Sequence, residues 1–277
     1  MSSNAMSLKA KIRNLSKEKN VPAQVILQNY MFECFLERLS KSEYKDKFIL
    51  KGGMLIAALV GINNRSTMDL DTTLINYPLS IDSITTAVRS ICNVVIDDMI
   101  TFSFLNIETI RSDDEYGGYR VSLKGVYDTI ITPLHIDITT GDAITPKEIS
   151  YTYQRMFSNQ KIDILAYNIE TILAEKYETI LRRSIFNTRA RDFYDIFILV
   201  KIQSYSPDLF IDAVRKTSEK RNSLFIFEKI NTRIEEIKTS SNLMNQWNKY
   251  RRSFTYAKEI TWDEISFSFE SLPIPSP

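Results

Sequence analysis

Two carboxylates separated by one apolar residue, Asp69 and Asp71 in Met68-Asp69-Leu70-Asp71, have the spacing that hard-cation chemistry needs. On a β-strand, side chains alternate faces and rise about 3.3 Å per residue, so both acids would point the same way and could share one divalent cation. An isolated Asp-x-Asp is also what a solvated turn or strand edge looks like. The stretch ahead of it argues for more. Phe48-Ile49-Leu50-Lys51 reads as a short strand, Gly52-Gly53 as a turn, and Met54 to Val60 as a short apolar helix, with Met68 15 residues beyond the glycines. Glycine is scarce, 7 in 277 residues, so an adjacent pair at a helix mouth marks a place where something approaches the backbone closely. A triphosphate fits: amides and the positive end of the helix dipole favour phosphate there. A plain strand-to-helix turn would have the same two glycines.

A third acid stands in His135-Ile136-Asp137-Ile138-Thr139. The alternation sends Ile136 and Ile138 to the core and puts Asp137 on the face of His135 and Thr139. If this strand lies beside the one carrying Asp71, three acids share a face and could cage a pair of Mg2+ ions. A half-exposed strand with polar residues toward water gives the same pattern, and His135 reads as a strand-face residue rather than a catalyst. Further on, Ile169, Ile172, Leu173, Tyr177 and Ile180 form one face of a helix at about 100° per residue, with Lys176 near its middle. A lysine there is costly unless it is paired, functional or snorkelling to solvent. Glu175, Glu178 and Arg182 read as the outer face of that helix. A second helix, Arg191 to Ile202, carries Asp192 at the edge of its apolar face and Asp195 on its flank; Asp192 also suits a first-turn acid facing the helix dipole. Lys176, Arg182, Arg183, Arg189 and Arg191 against Glu178 form a local basic run suited to triphosphate or RNA backbone, or a solvated face.

The elements that must position these residues read as an α+β fold. Pro22 to about Leu39 is an N-terminal helical segment, and the polar loop Asn63 to Thr67 leads into a strand, Met68 to Ile75. A helix over Ile81 to Val95 follows, then strands over Met99 to Arg111, Gly118 to Tyr127 and Ile130 to Thr139, with a hairpin turn at Asp113 to Gly117. After Pro146 the pattern becomes mostly helical, and the proline-rich tail Pro273 to Pro277 continues no element. The expected organisation is a mixed β-sheet core with helices over residues 6–145 and a mainly helical region over 146–277. Ser3-Asn4-Ala5 ahead of Met6 looks like an expression-tag remnant, which sets residues 1–5 outside the fold argument.

Composition narrows the chemistry. Lys plus Arg total 35 against 34 acids, so any polyanion site is local. One histidine argues against a His-rich zinc site, whereas carboxylate-bound Mg2+ needs none. Cys34 and Cys92 form no C-x-x-C pair and fit reduced thiols. With neither a signal-like start nor an apolar run of about 18 residues, a cytoplasmic location off the membrane is expected.

Taken together, Lys51-Gly52-Gly53, Arg65-Ser66-Thr67-Met68-Asp69-Leu70-Asp71, His135-Ile136-Asp137-Ile138 with Gly141-Asp142, Lys176, and Arg191-Asp192-Phe193-Tyr194-Asp195 resemble the AbiEii/AbiGii toxin family over about residues 48–200. These are nucleotidyltransferase-fold proteins related to DNA polymerase beta, toxins of type IV toxin–antitoxin and phage-abortive-infection systems. The resemblance implies transfer of a nucleoside monophosphate from an NTP to an acceptor hydroxyl, RNA and first of all the tRNA 3′ end, with a cognate antitoxin as partner. It matches Gly52 and Gly53 to the triphosphate-holding turn, with Arg65 and Lys176 also at the nucleotide. It matches Asp69 and Asp71 to the Mg2+ (or Mn2+) pair, with Asp137 as third metal acid, Lys176 to the third motif, and Asp192 to the fourth, where Asp195 competes. Gly53 stands where many nucleotidyltransferases have serine. Two alternatives stay open on sequence: an enzyme of this fold that nucleotidylates protein, and a non-catalytic module binding RNA or an antitoxin.

Overall fold

In a computed structural model, which describes residues 3–110 and 117–274, the chain divides into two units, Met1–Gly141 with Ile149–Ala166, and Asp142–Glu148 with Tyr167–Pro277. The first unit is built on a seven-stranded sheet of order β3-β4-β5-β2-β1-β7-β6. Its strands are β1 (Phe48–Lys51), β2 (Leu70–Leu74), β3 (Ile100–Ile110), β4 (Gly118–Tyr127), β5 (Ile130–Thr140), β6 (Ile149–Gln154) and β7 (Lys161–Ala166). Pairing is parallel between β2 and β5 and between β1 and β7, and antiparallel elsewhere, so the sheet is mixed as expected.

Period-two patterning decides which face the helices cover. Along β5, Leu134, Ile136 and Ile138 are buried, while Ile131 and His135 are exposed and Asp137 is half-buried. Helices α2 (Ala23–Ser40) and α4 (Ile81–Cys92) pack on this sheet, α2 against β5 and β7 and α4 against β3, and α3 (Gly52–Val60) lies against β1 and β2. The buried residues of α2 lie all round its axis, so its polar side chains must find partners inside. Arg38 makes a bidentate pair with Asp98 (2.8 Å for each bond) and donates to the Ile100 carbonyl, and Glu33 accepts from the Met156 amide.

Three expectations change here. Residues set aside as a tag remnant belong to α1 (Ser3–Lys19), where Ala5, Leu8 and Ile12 are buried and the Ala5 amide donates to Asp128. Three apolar residues at i, i+3 and i+7 among lysines give a helical signal too thin to read without its neighbour α2. Helix does not begin at residue 146: β6 and β7 form a hairpin first, with β7 joining the sheet beside β1 through Leu50 and Ala166. Ile162, Ile164 and Ala166 do alternate, but the run is short, and pairing with β6 and β1 makes it a strand. Met68 and Asp69 precede β2 rather than lying in it. The expected turn Asp113 to Gly117 lies outside the described residues except for Gly117; β3 and β4 do pair as the hairpin requires, Ile110 opposite Gly118.

The second unit carries α5 (Ile169–Arg183), α6 (Ala190–Ile202), α7 (Pro207–Lys220), α8 (Ile230–Thr239), α9 (Ser241–Ser253) and α10 (Trp262–Glu270). Asn168, Ser206, Ser240 and Thr261 each cap the following helix by accepting a backbone N–H, which fixes where four of them start. Helix α5 is the centre: Tyr177 is fully buried, with ring centroids 5.5 Å from Phe210 of α7 and 4.9 Å from Phe269 of α10.

Candidate functional site

The glycine turn and the acidic pair meet in the first unit. Gly52 has φ +65°, a conformation costly for any residue with a Cβ. An added Cβ would also fall on the Asp71 carboxylate, 2.7 Å from its Cγ. A Cβ at Gly53 would sit 2.7 Å from Thr67 Oγ1 and 3.2 Å from an Arg65 guanidinium nitrogen. The backbone of this turn is therefore laid directly against the 65–71 segment. Arg65 is buried beside the turn, and Asp69 is exposed one residue ahead of β2.

Helix α2 holds that segment in place. Asn29 Nδ2 donates to the Thr67 carbonyl at 2.8 Å and Gln28 Nε2 to the Met68 carbonyl at 3.1 Å, both from buried side chains. Thr67 Oγ1 then accepts from the Asp69 amide at 3.3 Å. Gln28 and Asn29 escaped the sequence reading because an amide on a largely apolar helix looks like a surface residue until its partner is known.

Register brings four charges into one row. Lys51 lies opposite Asp71, Asp71 opposite Asp137, and Asp137 opposite Arg120, across β1, β2, β5 and β4. Residues in register share a face, so Asp71 and Asp137 are on one side of the sheet as expected. Lys51 is buried and donates through Nζ to Thr139 Oγ1 at 2.7 Å. Asp137 is engaged by Arg120: Nε reaches Oδ1 at 2.7 Å and Nη2 reaches Oδ2 at 2.8 Å. The hydrogen bonds Arg120 donates to Asp137 chiefly raise its pKa, and Asp69 and Asp71 add to it, so all three acids act on this guanidinium. His135 is exposed on the same face with Nδ1 3.1 Å from Ser122 Oγ.

Asp69 and Asp71 are the acids suited to a cation. Mg2+ commonly takes one or two carboxylates and completes its shell with phosphate and water, so this pair fits. Both Asp137 oxygens already accept from Arg120, so a third ligand from Asp137 would have to come from their remaining lone pairs. Among the described residues no three His, Cys, Asp or Glu side chains group as a metal site.

The remaining candidates gather in the second unit. Lys176 Nζ lies 2.7 Å from Asp192 and 2.9 Å from Asp195, which is fully buried. Burial would lower the lysine pKa, but the charges of Asp192 and Asp195 outweigh it and hold the ammonium above its ordinary value. Asp192 and Asp195 thus both hold Lys176. Glu178, expected on the outer face, is fully buried: it accepts from Arg182 Nε (2.7 Å), Arg221 (2.7 Å) and Ser223 (2.8 Å). Apolar periodicity marks one face of α5; it cannot show that Arg221 and Ser223, just past α7, close over another. The expected basic run is correspondingly weakened, with Lys176 and Arg182 both neutralised.

With this geometry in place, comparison with known proteins is specific about family and fold. The family model described as "Nucleotidyl transferase AbiEii toxin, Type IV TA system" matches residues 34–267. No curated protein sequence matches the chain. Among solved structures, JHP933 from Helicobacter pylori is similar at 17% identity and TM-score 0.51, covering 90% of each chain. MenT4, a nucleotidyltransferase toxin of Mycobacterium tuberculosis H37Rv, is similar at 12% identity and TM-score 0.50, covering 91% of this chain and 94% of its own. At these identities the structures speak for the fold, and the family match speaks for the chain.

Proposed function

Since this chain belongs to the AbiEii family of nucleotidyltransferase toxins of type IV toxin–antitoxin systems, we propose that it moves a nucleoside monophosphate from an NTP to an acceptor hydroxyl, releasing pyrophosphate. The acceptor in this reading is RNA, the tRNA 3′ end first. The setting is the cytoplasm, in an abortive-infection system with a cognate antitoxin; among the described residues no helix is long and apolar enough to cross a membrane.

The single observation that carries the reading is the contact of the Gly52 backbone with the Asp71 carboxylate. A turn able to cradle phosphate and an acid able to hold a cation are one place. Asp69 and Asp71 would hold Mg2+ or Mn2+, which when bound neutralises phosphate charge and lowers the pKa of an attacking hydroxyl. Gly52 and Gly53 let phosphate oxygens reach the backbone, and buried Arg65 braces the turn while adding positive charge beside it. Asp137, with both oxygens on Arg120, is left out of the metal set. In this reading Lys176, held by Asp192 and Asp195, would neutralise phosphate charge.

The deciding experiment incubates the protein with each radiolabelled NTP, Mg2+ and total cellular RNA or protein, beside Asp71→Asn. Label on RNA that is lost in the variant supports the reading. Label on protein redirects the acceptor, and label that survives Asp71→Asn overturns the site.

A further inference from the structure

The sequence reading gave Arg120 no part, yet it is held in a bidentate pair on the face of Asp71. Its Nε and Nη2 are fixed on Asp137 in a side-on bidentate pair, which immobilises a guanidinium with better geometry than a single contact. The Nη1 edge stays outside that pair, and 42% of the side chain is exposed. Strand register puts it in the row that contains Asp71, and the potential of Asp69 and Asp71 acts on it. An arginine held by one acid beside two others is a planar fork in a field that keeps it from swinging away, with its Nη1 outside the pair and the side chain part-exposed. Forks of this kind suit phosphate oxygens, which offer the same spacing as a carboxylate. Lys51, the other cation of the row, donates to Thr139 along the same face and is buried, so Arg120 is the more exposed cation of the row for a ligand on this face.

We propose that Arg120 is a phosphate-binding residue for the triphosphate and the departing pyrophosphate, and that Asp137 is the positioning residue that holds its guanidinium rather than a metal ligand. The inference rests on the nucleotidyl-transfer reading and adds a residue to it. The Arg120–Asp137 pair would then act as one device: removing Asp137 frees the fork, removing Arg120 abolishes it, and removing both does no more harm than removing Arg120.

The test is calorimetric titration of the full chain with magnesium pyrophosphate and with each of the four NTPs, for wild type, Arg120→Ala, Arg120→Lys, Asp137→Asn and the double variant Arg120→Ala/Asp137→Asn. Loss of one charge-assisted hydrogen bond predicts pyrophosphate and NTP binding weaker by about tenfold to a hundredfold in Arg120→Ala. Asp137→Asn should fall in the same direction, the double variant should match Arg120→Ala, and Arg120→Lys should recover part of the loss. Mn2+ binding without nucleotide, read by electron paramagnetic resonance, should be unchanged in Asp137→Asn. Additive losses in the double variant, or loss of Mn2+ binding in Asp137→Asn, would make Asp137 an independent ligand and overturn the proposal. So would Arg120→Ala binding pyrophosphate like wild type. Should Arg120→Ala unfold on heating well below wild type, Arg120→Lys decides alone, and wild-type affinity in it ends the idea. A wild-type chain that binds none of the NTPs defeats the functional reading and this inference together; wild-type binding and transfer with unaltered Arg120 variants defeats only the inference.

Discussion

Gly52 is where a single atom matters most. Its positive φ and its contact with Asp71 act together, so Gly52→Ala should destabilise the protein by about 1–3 kcal/mol, from backbone strain and displacement of the acid. Nucleotide transfer should fall much further than stability, because the turn and Asp71 shift at once; thermal melts beside transfer rates separate the two, and a fully active Gly52→Ala would remove the turn from the mechanism. Lys176 is the opposite case, a charge whose loss is first a folding problem. It is 18% exposed between Asp192 and Asp195. Lys176→Met leaves two buried acids facing each other, a cost of about 3–5 kcal/mol of the kind seen when one partner of a buried pair is removed. Adding Asp195→Asn to Lys176→Met should recover part of that stability in a denaturant melt. If the single variant melts like wild type, the pair has no structural weight.

At the scale of elements, α2 does more than fill the core. Its amides reach the backbone of residues 67 and 68 and so set where the acidic segment lies against α3. Asn29→Ala leaves the Thr67 carbonyl without that donor in a buried place, worth about 1–3 kcal/mol. Asn29→Ala is also expected to weaken NTP binding, although residue 29 belongs to no site motif. Asn29→Asp, which cannot donate to the carbonyl, should behave similarly in both measurements; wild-type binding in the two variants would show that the segment holds its place unaided. In the second unit the equivalent framework is ionic: Glu178 ties α5 to Arg182 one turn on and to Arg221 beyond α7.

For the whole molecule, stability should depend on pH through Glu33. Burial pushes this carboxyl up from 4.5 to about 8, opposed by the Met156 amide, Arg155 and the Tyr153 hydroxyl. Below pH 4.5 the folded and unfolded chains both carry the proton and the residue is neutral to stability. Between there and about 8 the folded chain keeps a proton that the unfolded chain has released, so stability falls as pH rises, and the loss is complete above about 8. Glu33→Gln should flatten that part of a melting-temperature profile; an unchanged slope would assign it to other groups. What the sequence alone determined were the local patterns: β1, the glycine turn, α3 and the alternation that puts Asp137 opposite the core-facing Ile136 and Ile138. Those depend on side-chain period and backbone freedom, which neighbouring residues fix. It also carried the spaced motifs by which the family is recognised. Tertiary structure alone decided the partners. The docking of β7 beside β1, the burial of Glu178, the Arg120–Asp137 pair and the amides of α2 all join residues far apart in the chain. Register and packing choose those contacts, and neither is written in a local period.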